Sequence, residues 1–378
     1  MPDDLSSLIK EINKDLKGAA KVNNLCDVET PYETRLPTGI LSLDLKLKGG
    51  FPAGTMVQLF GPEGVGKDYL SNLTMAQVQK KYGDKANLFW LSFGYKPDKG
   101  FMRMAGVQIP YTDDELVDKG YDPKTITEDE LRSIGGLRVG NILYLDIDFA
   151  SASEHPAETL LSAAIRCVKS NKFQLGIINE LGSGETKDNV VKDLHEDSKI
   201  ATWASLMSDF CRKYYTALRQ PDESGKPNQT CIIMINPVRA NMDARSARFN
   251  KFTQGGGYAL KHAKVIDIHI RSGASLKEGT KRVGKEIKWK VSKGKHGISE
   301  GAEGEYEFYF DKGVDLVKDL AYTAKLTGVV KNSGPVYYIL DYADKIKGGI
   351  DGVVDLLRTE STVREEVRDA VLRESSVG

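Results

Sequence analysis

Apolar positions recur at two spacings along this chain. Short continuous runs at 56–60, 87–91, 141–145, 175–178, 230–235 and 265–270 read as strands. Between them, 156–169 and 199–219 carry apolar residues at helical spacing, and Trp203, Met207, Phe210 and Tyr214 form a stripe expected in the core. Strands alternating with helices predict an α/β fold, a mostly parallel twisted sheet flanked by helices. Two later runs, 286–292 and 305–310, read as antiparallel edge strands. Residues 4–20 set Leu5, Leu8, Ile9, Ile12 and Leu16 on one helical face, and the polar stretch 21–34 after them reads as a linker with a short strand at 26–30. Residues 112–138 are acidic, carry a capping box in Thr127 and Glu130, and read as a surface insertion. Beyond 314 the pattern predicts a small α/β tail with helices at 316–326 and 363–374. The expected division is a helical arm and linker over 1–34, a core over 35–312 and a small C-terminal unit over 313–378.

Charge and cysteine usage narrow the function classes. The 378 residues hold 53 Lys and Arg against 53 Asp and Glu, so the formal net charge is +0 and any nucleic-acid site must be a local patch. Cys26, Cys167, Cys211 and Cys231 are scattered, which fits a reduced, cytoplasmic setting without a disulfide framework or a zinc site. The first residues lack a signal-peptide pattern and no apolar run is long enough to span a bilayer, so no membrane role is expected.

The sharpest motif is Gly61-Pro62-Glu63-Gly64-Val65-Gly66-Lys67-Asp68, set between a predicted strand and a predicted helix. It meets the phosphate-loop pattern G-x-x-x-x-G-K-[ST] at every position but the last. The glycines let main-chain N–H groups turn onto phosphate oxygens, and the helix N-terminus adds partial positive charge. Gly61, Glu63, Gly64, Val65, Gly66, Lys67, Asp68 and Tyr69 are the expected nucleotide-contacting run, with Lys67 reaching the outer phosphates. Asp68 stands where a hydroxyl normally holds magnesium, and it adds negative charge there.

Further along, Leu36-Pro37-Thr38-Gly39 with Leu41-Ser42-Leu43-Asp44, Gly255-Gly256-Gly257-Tyr258-Ala259-Leu260-Lys261, and Lys290-Val291-Ser292-Lys293-Gly294-Lys295 stand in fixed order around the loop. Together with the stretch from Asp341 to Arg373, they make nearly the whole chain resemble the RecA-type recombinases, including the phage UvsX group. The resemblance implies a RecA-like P-loop core, ATP as nucleotide, single-stranded DNA as partner and assembly into filaments. It implies that Lys293 and Lys295 reach the nucleotide of a neighbouring subunit, and that the N-terminal helix and strand 26–30 dock on a neighbour.

The departures from the family pattern cluster at its catalytic positions. Gly94 falls where the water-activating glutamate is expected, Asn179 where the magnesium-holding Asp is expected, and Pro237 where a Gln senses the terminal phosphate. Glu180 follows Asn179, but strand alternation aims it at the other face, and Asp98 is the acidic side chain near Gly94. No catalytic residue and no metal set is therefore assigned; ATP binding is expected to be weak and magnesium doubtful.

The loop 239–257 offers Arg239, Arg245, Arg248 and Lys251 for phosphates, against Asp243, with Phe249 and Phe252 for base stacking. The loop 182–197 mixes Lys187 and Lys192 with five acids, a poor anion binder, and its His195 reads as exposed. The leading expectation is a DNA-recombination and repair protein of bacterial or phage-infected cytoplasm, a degenerate ATPase that binds single-stranded DNA. It would assemble with itself or in mixed filaments with an active RecA-like recombinase. An active ATP-dependent strand-exchange enzyme and a structural assembly protein on the same fold stay open.

Overall fold

A computed structural model describes residues 3–18, 20–146, 156–184, 186, 200–223, 225–240, 252–339 and 345–376. Helix α1 (Asp3–Asp15) opens the chain, and β1 (Arg35–Leu36), α2 (Leu41–Lys46) and β2 (Phe51–Pro52) lead into β3 (Met56–Gly61) and α3 (Lys67–Tyr82). Then come β4 (Asn87–Ser92), α4 (Lys99–Met104), α5 (Asp113–Asp118), α6 (Glu128–Ser133), β5 (Asn141–Leu145), α7 (Pro156–Lys169), β6 (Leu175–Asn179) and α8 (Ile200–Leu218). The core closes with β7 (Cys231–Ala240), β8 (Phe252–Gln254), α9 (Gly257–Ala263), β9 (Ile266–Glu278), β10 (Lys281–Lys293), β11 (Glu303–Tyr309) and β12 (Gly313–Val314). The tail holds α10 (Leu316–Leu326), β13 (Val330–Ser333), β14 (Val336–Ile339), α11 (Gly349–Thr359) and α12 (Ser361–Ser376).

The large sheet has the order β12-β11-β10-β9-β3-β7-β6-β4-β5, parallel from β9 to β5 and antiparallel from β9 to β12. Every residue of β3 is buried, as helices on both faces of a parallel sheet require. Alternate strand residues feed two layers. Val57, Leu59, Leu88, Trp90, Ile177, Ile233 and Ile235 pack on the α3 side, while Met56, Phe89, Leu91, Ile178, Ile232 and Met234 pack on the α7–α8 side. The expected core stripe holds Met207, Phe210 and Tyr214 fully inside, with Trp203 half-buried against Phe93. A third apolar cluster joins α10, α11 and α12 to Leu41 of α2, and the Asp319 carboxylate accepts the Leu41 N–H at 2.7 Å.

The structure departs from the expected elements in three places. No strand forms at 26–30: the chain makes short 3-10 turns at Leu25–Asp27 and Pro31–Glu33, and Leu25 is 83% exposed. A strand needs a partner edge, and this region pairs with none among the described residues. The apolar face of α1 nearby leaves Leu5 and Leu8 each 48% exposed. The run 230–235 continues to Ala240 and folds back on β8, pairing Val238 with Gln254 and Ala240 with Phe252, so the flanks of the expected loop 239–257 are hairpin. Strands β9 and β10 run well past their apolar cores, because their outer halves are an exposed hairpin that needs no apolar pattern.

The acidic insertion holds two capping boxes, Thr112 with Glu115 and Thr127 with Glu130. Gln79 of α3 staples both of its ends, donating to the carbonyls of Gln108 and Val139 at 3.0 Å each. Among the described residues no helix is long and apolar enough to cross a membrane.

Candidate nucleotide site

The phosphate loop joins the end of the central strand β3 to the start of α3, at the carboxyl edge of the parallel strands where α/β sheets bind ligands. Two glycines are there by necessity. A Cβ on Gly61 would meet the Ile270 carbonyl oxygen at 2.0 Å, and Gly66 caps α3 in the left-handed region at φ 89°. Val65 is buried in the core and anchors the loop from below.

Lys67 is 6% exposed, and its ammonium donates to the main-chain carbonyls of Gly61 at 3.1 Å and Pro62 at 2.6 Å. Burial pulls its pKa down, while the carboxylates of Asp68, Glu180 and Glu63 pull it up. Crowding by protein raises the Asp68 carboxyl, Lys67 opposes that rise and Glu180 adds to it. The charge of Glu180 is thus felt by both Lys67 and Asp68. Strand β6 ends at Asn179, so the alternation stops one residue earlier, and Ser183 donates to the Glu180 carboxylate at 3.2 Å. The Asn179–Glu180 peptide bond is cis.

Tyr69 leaves the expected set as a side chain. It is 2% exposed, its ring packs edge-on against Phe101 and Phe308, and its hydroxyl donates to the Met104 carbonyl at 3.2 Å. The reason is helical geometry: two residues past Lys67, the side chain points under the loop into the core.

The strand ends align beside the loop. Gly61 lies opposite Pro237, and Asn179 opposite Ser92. Gly94 follows on an exposed turn, and a Cβ there would lie 4.0 Å from that of Ser183, so space for a side chain exists. Asp98 does not replace the absent carboxylate, because it caps α4 by accepting the Phe101 N–H at 3.0 Å. Next to Pro237, Asn236 is buried and donates to Gln58 at 3.2 Å and to the Gly255 carbonyl at 2.9 Å. Gln58 donates to Asp267 at 3.0 Å, and Asp267 pairs with Lys264 at 2.5 Å. This buried polar layer under the site leaves no local signal in the sequence, where its members are up to 209 residues apart.

Lys293 and Lys295 sit away from the loop. The Lys293 ammonium donates to the carbonyls of Lys261 at 2.6 Å and Lys264 at 2.7 Å, closing the C-terminus of α9, and Lys295 reaches His262 at 3.5 Å. Burial and the neighbouring Lys295 and Lys264 lower the Lys293 pKa. Of the expected DNA-binding residues, Arg239 lies in β7 and Phe252 in β8, while Arg245, Arg248, Phe249 and Lys251 lie outside the described residues. So does His195.

A nucleotide's phosphates fit the cradle, since the loop has its glycines and a buried ammonium hydrogen-bonded to carbonyls. A metal fits less well. Asp68 stands where the resemblance leads one to expect a hydroxyl ligand, and Asn179 where it leads one to expect a strand-end carboxylate. Among the described residues no group of three or more His, Cys, Asp or Glu is placed to hold an ion.

Comparison with known proteins covers most of the chain. The RecA N-terminal domain model matches residues 3–119 and 143–315, and the unmatched stretch between them covers most of the insertion. Protein RecA of Thermus thermophilus is 29% identical over 377 residues, covering 98% of this chain and 94% of the relative. Protein RecA of Francisella philomiragia subsp. philomiragia is 26% identical over 371 residues, covering 98% and 88%. The crystal structure of the RadB recombinase aligns with a TM-score of 0.44 and 14% identity over 74% of this chain and 98% of that one.

Proposed function

The chain belongs to the RecA family of recombinases, and on that premise we propose a DNA-recombination and repair protein that grips nucleotide but turns it over little or not at all. The observation carrying this reading is the edge of the sheet beside the loop, where Gly94, Asn179 and Pro237 present neither of the expected carboxylates and no phosphate-sensing Gln. A positioned general base contributes about 10²–10⁴-fold to a rate, and glycine supplies none of it. Lys67 and the loop's main chain hold the phosphates; the chemistry after binding lacks the residues that would perform it.

Single-stranded DNA is the proposed partner, through Arg239, Arg245, Arg248 and Lys251 for phosphates and Phe249 and Phe252 for bases. The exposed apolar face of α1 supports head-to-tail assembly, in which an uncovered patch meets a different surface of the next copy. Lys293 and Lys295 would then serve a neighbour's nucleotide, including that of an active recombinase in a mixed filament. The arm, core and C-terminal unit divide near residues 34 and 312 in this reading, and the setting is the cytoplasm of a bacterial or phage-infected cell.

A working ATPase with displaced ligands is the second reading, and Glu180 is the observation in its favour, since its charge acts on both Lys67 and Asp68. Phosphate release from ATP, with and without single-stranded DNA, separates the two. Background turnover is expected; a rate typical of active family members would reject the proposal in favour of the second reading. Imaging of the protein with and without DNA then checks the filament.

A further inference from the structure

Strand β10 passes over the phosphate loop and carries a cation there. Ile287 lies under the last glycine, its Cδ1 3.8 Å from where a Cβ on Gly66 would stand. Two residues earlier, on the same face of the strand, the Lys285 ammonium donates to the Gly64 carbonyl. Two ammonium groups therefore reach this loop: Lys67 from within and Lys285 from its rim. Among the described residues neither forms an ion pair with a carboxylate; both are held by main-chain carbonyls. A carbonyl is a neutral acceptor, and a phosphate oxygen adds the attraction of opposite charges to the ammonium's hydrogen bond. A phosphate oxygen arriving in the loop would displace it.

We infer that Lys285 is a built-in counter-cation of the phosphate loop, letting the cradle take a triphosphate chain without a divalent metal. This rests on the reading of the loop as a nucleotide site. The positions that would hold a metal carry Asp68 and Asn179, so the charge it would supply has to come from elsewhere. A second lysine at the rim supplies it in the same subunit. Its flexible stem lets the ammonium leave the Gly64 carbonyl and follow the phosphates, and it stays half-exposed, where such movement meets no packing. Burial and the nearby Arg282 lower the Lys285 pKa, the response of a cation partly stripped of water and lacking an acid partner. Arg282 itself lies beside the Phe310 ring, 5.5 Å from its centroid.

Calorimetric titration of the full chain with ATP and with inorganic triphosphate, in EDTA and then in magnesium, tests the inference. The parent should bind both in EDTA, with magnesium changing Kd by less than about 3-fold. Lys285→Ala should weaken binding in EDTA by about 10-fold and make it respond to magnesium, and Lys285→Arg should restore the parent's behaviour. If Lys67→Ala abolishes binding but Lys285→Ala binds as the parent does, the nucleotide site stands and Lys285 is a bystander. A parent that binds only with magnesium also overturns the inference. If the parent binds neither ligand under either condition, the nucleotide reading fails and takes this inference with it.

Discussion

The two halves of the candidate site lie side by side on one edge of one sheet, yet one keeps the phosphate-loop pattern through Lys67 and the other departs from the expected pattern at Gly94, Asn179 and Pro237. The gripping half, from Gly61 to Lys67, is made of main chain, two conformationally forced glycines and one lysine. The half beside it, at the ends of β4, β6 and β7, would depend on side chains, and there Gly94, Asn179 and Pro237 stand where the resemblance leads one to expect Glu, Asp and Gln. A cradle built from backbone persists as long as the strand-loop-helix turn persists, because folding itself makes it. Catalysis requires particular atoms on particular side chains, and single substitutions remove it without disturbing the fold. The proposed function makes binding and turnover separable, and each of the following measurements strains that separation.

Rebuilding the side-chain half should have the largest effect. Gly94→Glu combined with Asn179→Asp and Asp68→Thr is expected to raise ATP turnover by at least about 10²-fold over the parent, whereas each single substitution stays near background. The exposed turn at Gly94 has space for the new side chain. A single substitution that restores turnover would mean the other two positions are not limiting.

Asp44 gives a control outside both halves. It is buried, accepts the Thr38 N–H at 2.7 Å, and burial first, then the nearby Asp319, pushes its pKa up to about 7. A raised carboxyl stabilises the fold while protonated, so this contribution is full below the unfolded pKa of about 4 and is lost as pH rises through 7. Asp44→Asn should remove that slope, so that the parent loses on the order of a few kcal/mol relative to the variant between pH 5 and pH 8. Denaturant unfolding at the two pH values measures it; equal slopes for both proteins would show that Asp44 does not titrate in this range.

Within the gripping half, Asp68→Thr should tighten ATP binding by about 10-fold and introduce a magnesium response, because a carboxylate beside the phosphates is replaced by a metal-binding hydroxyl. Calorimetry reads both effects. Unchanged affinity would indicate that the raised Asp68 carboxyl is already neutral in the complex.

The loop proposed to bind DNA has the next smaller effect. Arg245→Ala with Arg248→Ala should lower the salt slope of single-stranded DNA binding by about 0.7 for each phosphate no longer neutralised, with weaker binding across all sequences. An unchanged slope would move the DNA site elsewhere. The smallest effect belongs to Tyr69→Phe, which removes one hydrogen bond to Met104 and should cost about 1 kcal/mol of stability while leaving ATP affinity unchanged. A change in affinity would return Tyr69 to the site.

Much of this molecule was legible from local pattern. The parallel strands announced themselves as apolar runs because both faces of the sheet are covered, and the loop motif fixed its own turn, since Gly66 must adopt a conformation other residues avoid. The capping box at Thr127 and Glu130 likewise involves groups three residues apart. What failed was whatever depended on a neighbour. The strand expected at 26–30 has no edge to pair with among the described residues, and Tyr69 turned into the core beside Phe308. By itself the sequence determined the sheet and the turn of the phosphate loop, both of which follow from residues close together in the chain. Only the tertiary structure decided which groups share the site. Gln58, Asn236, Lys264 and Asp267 meet beneath it, and Lys285 reaches its rim from 221 residues away, because packing, which obeys no periodicity in sequence, brings those strands together.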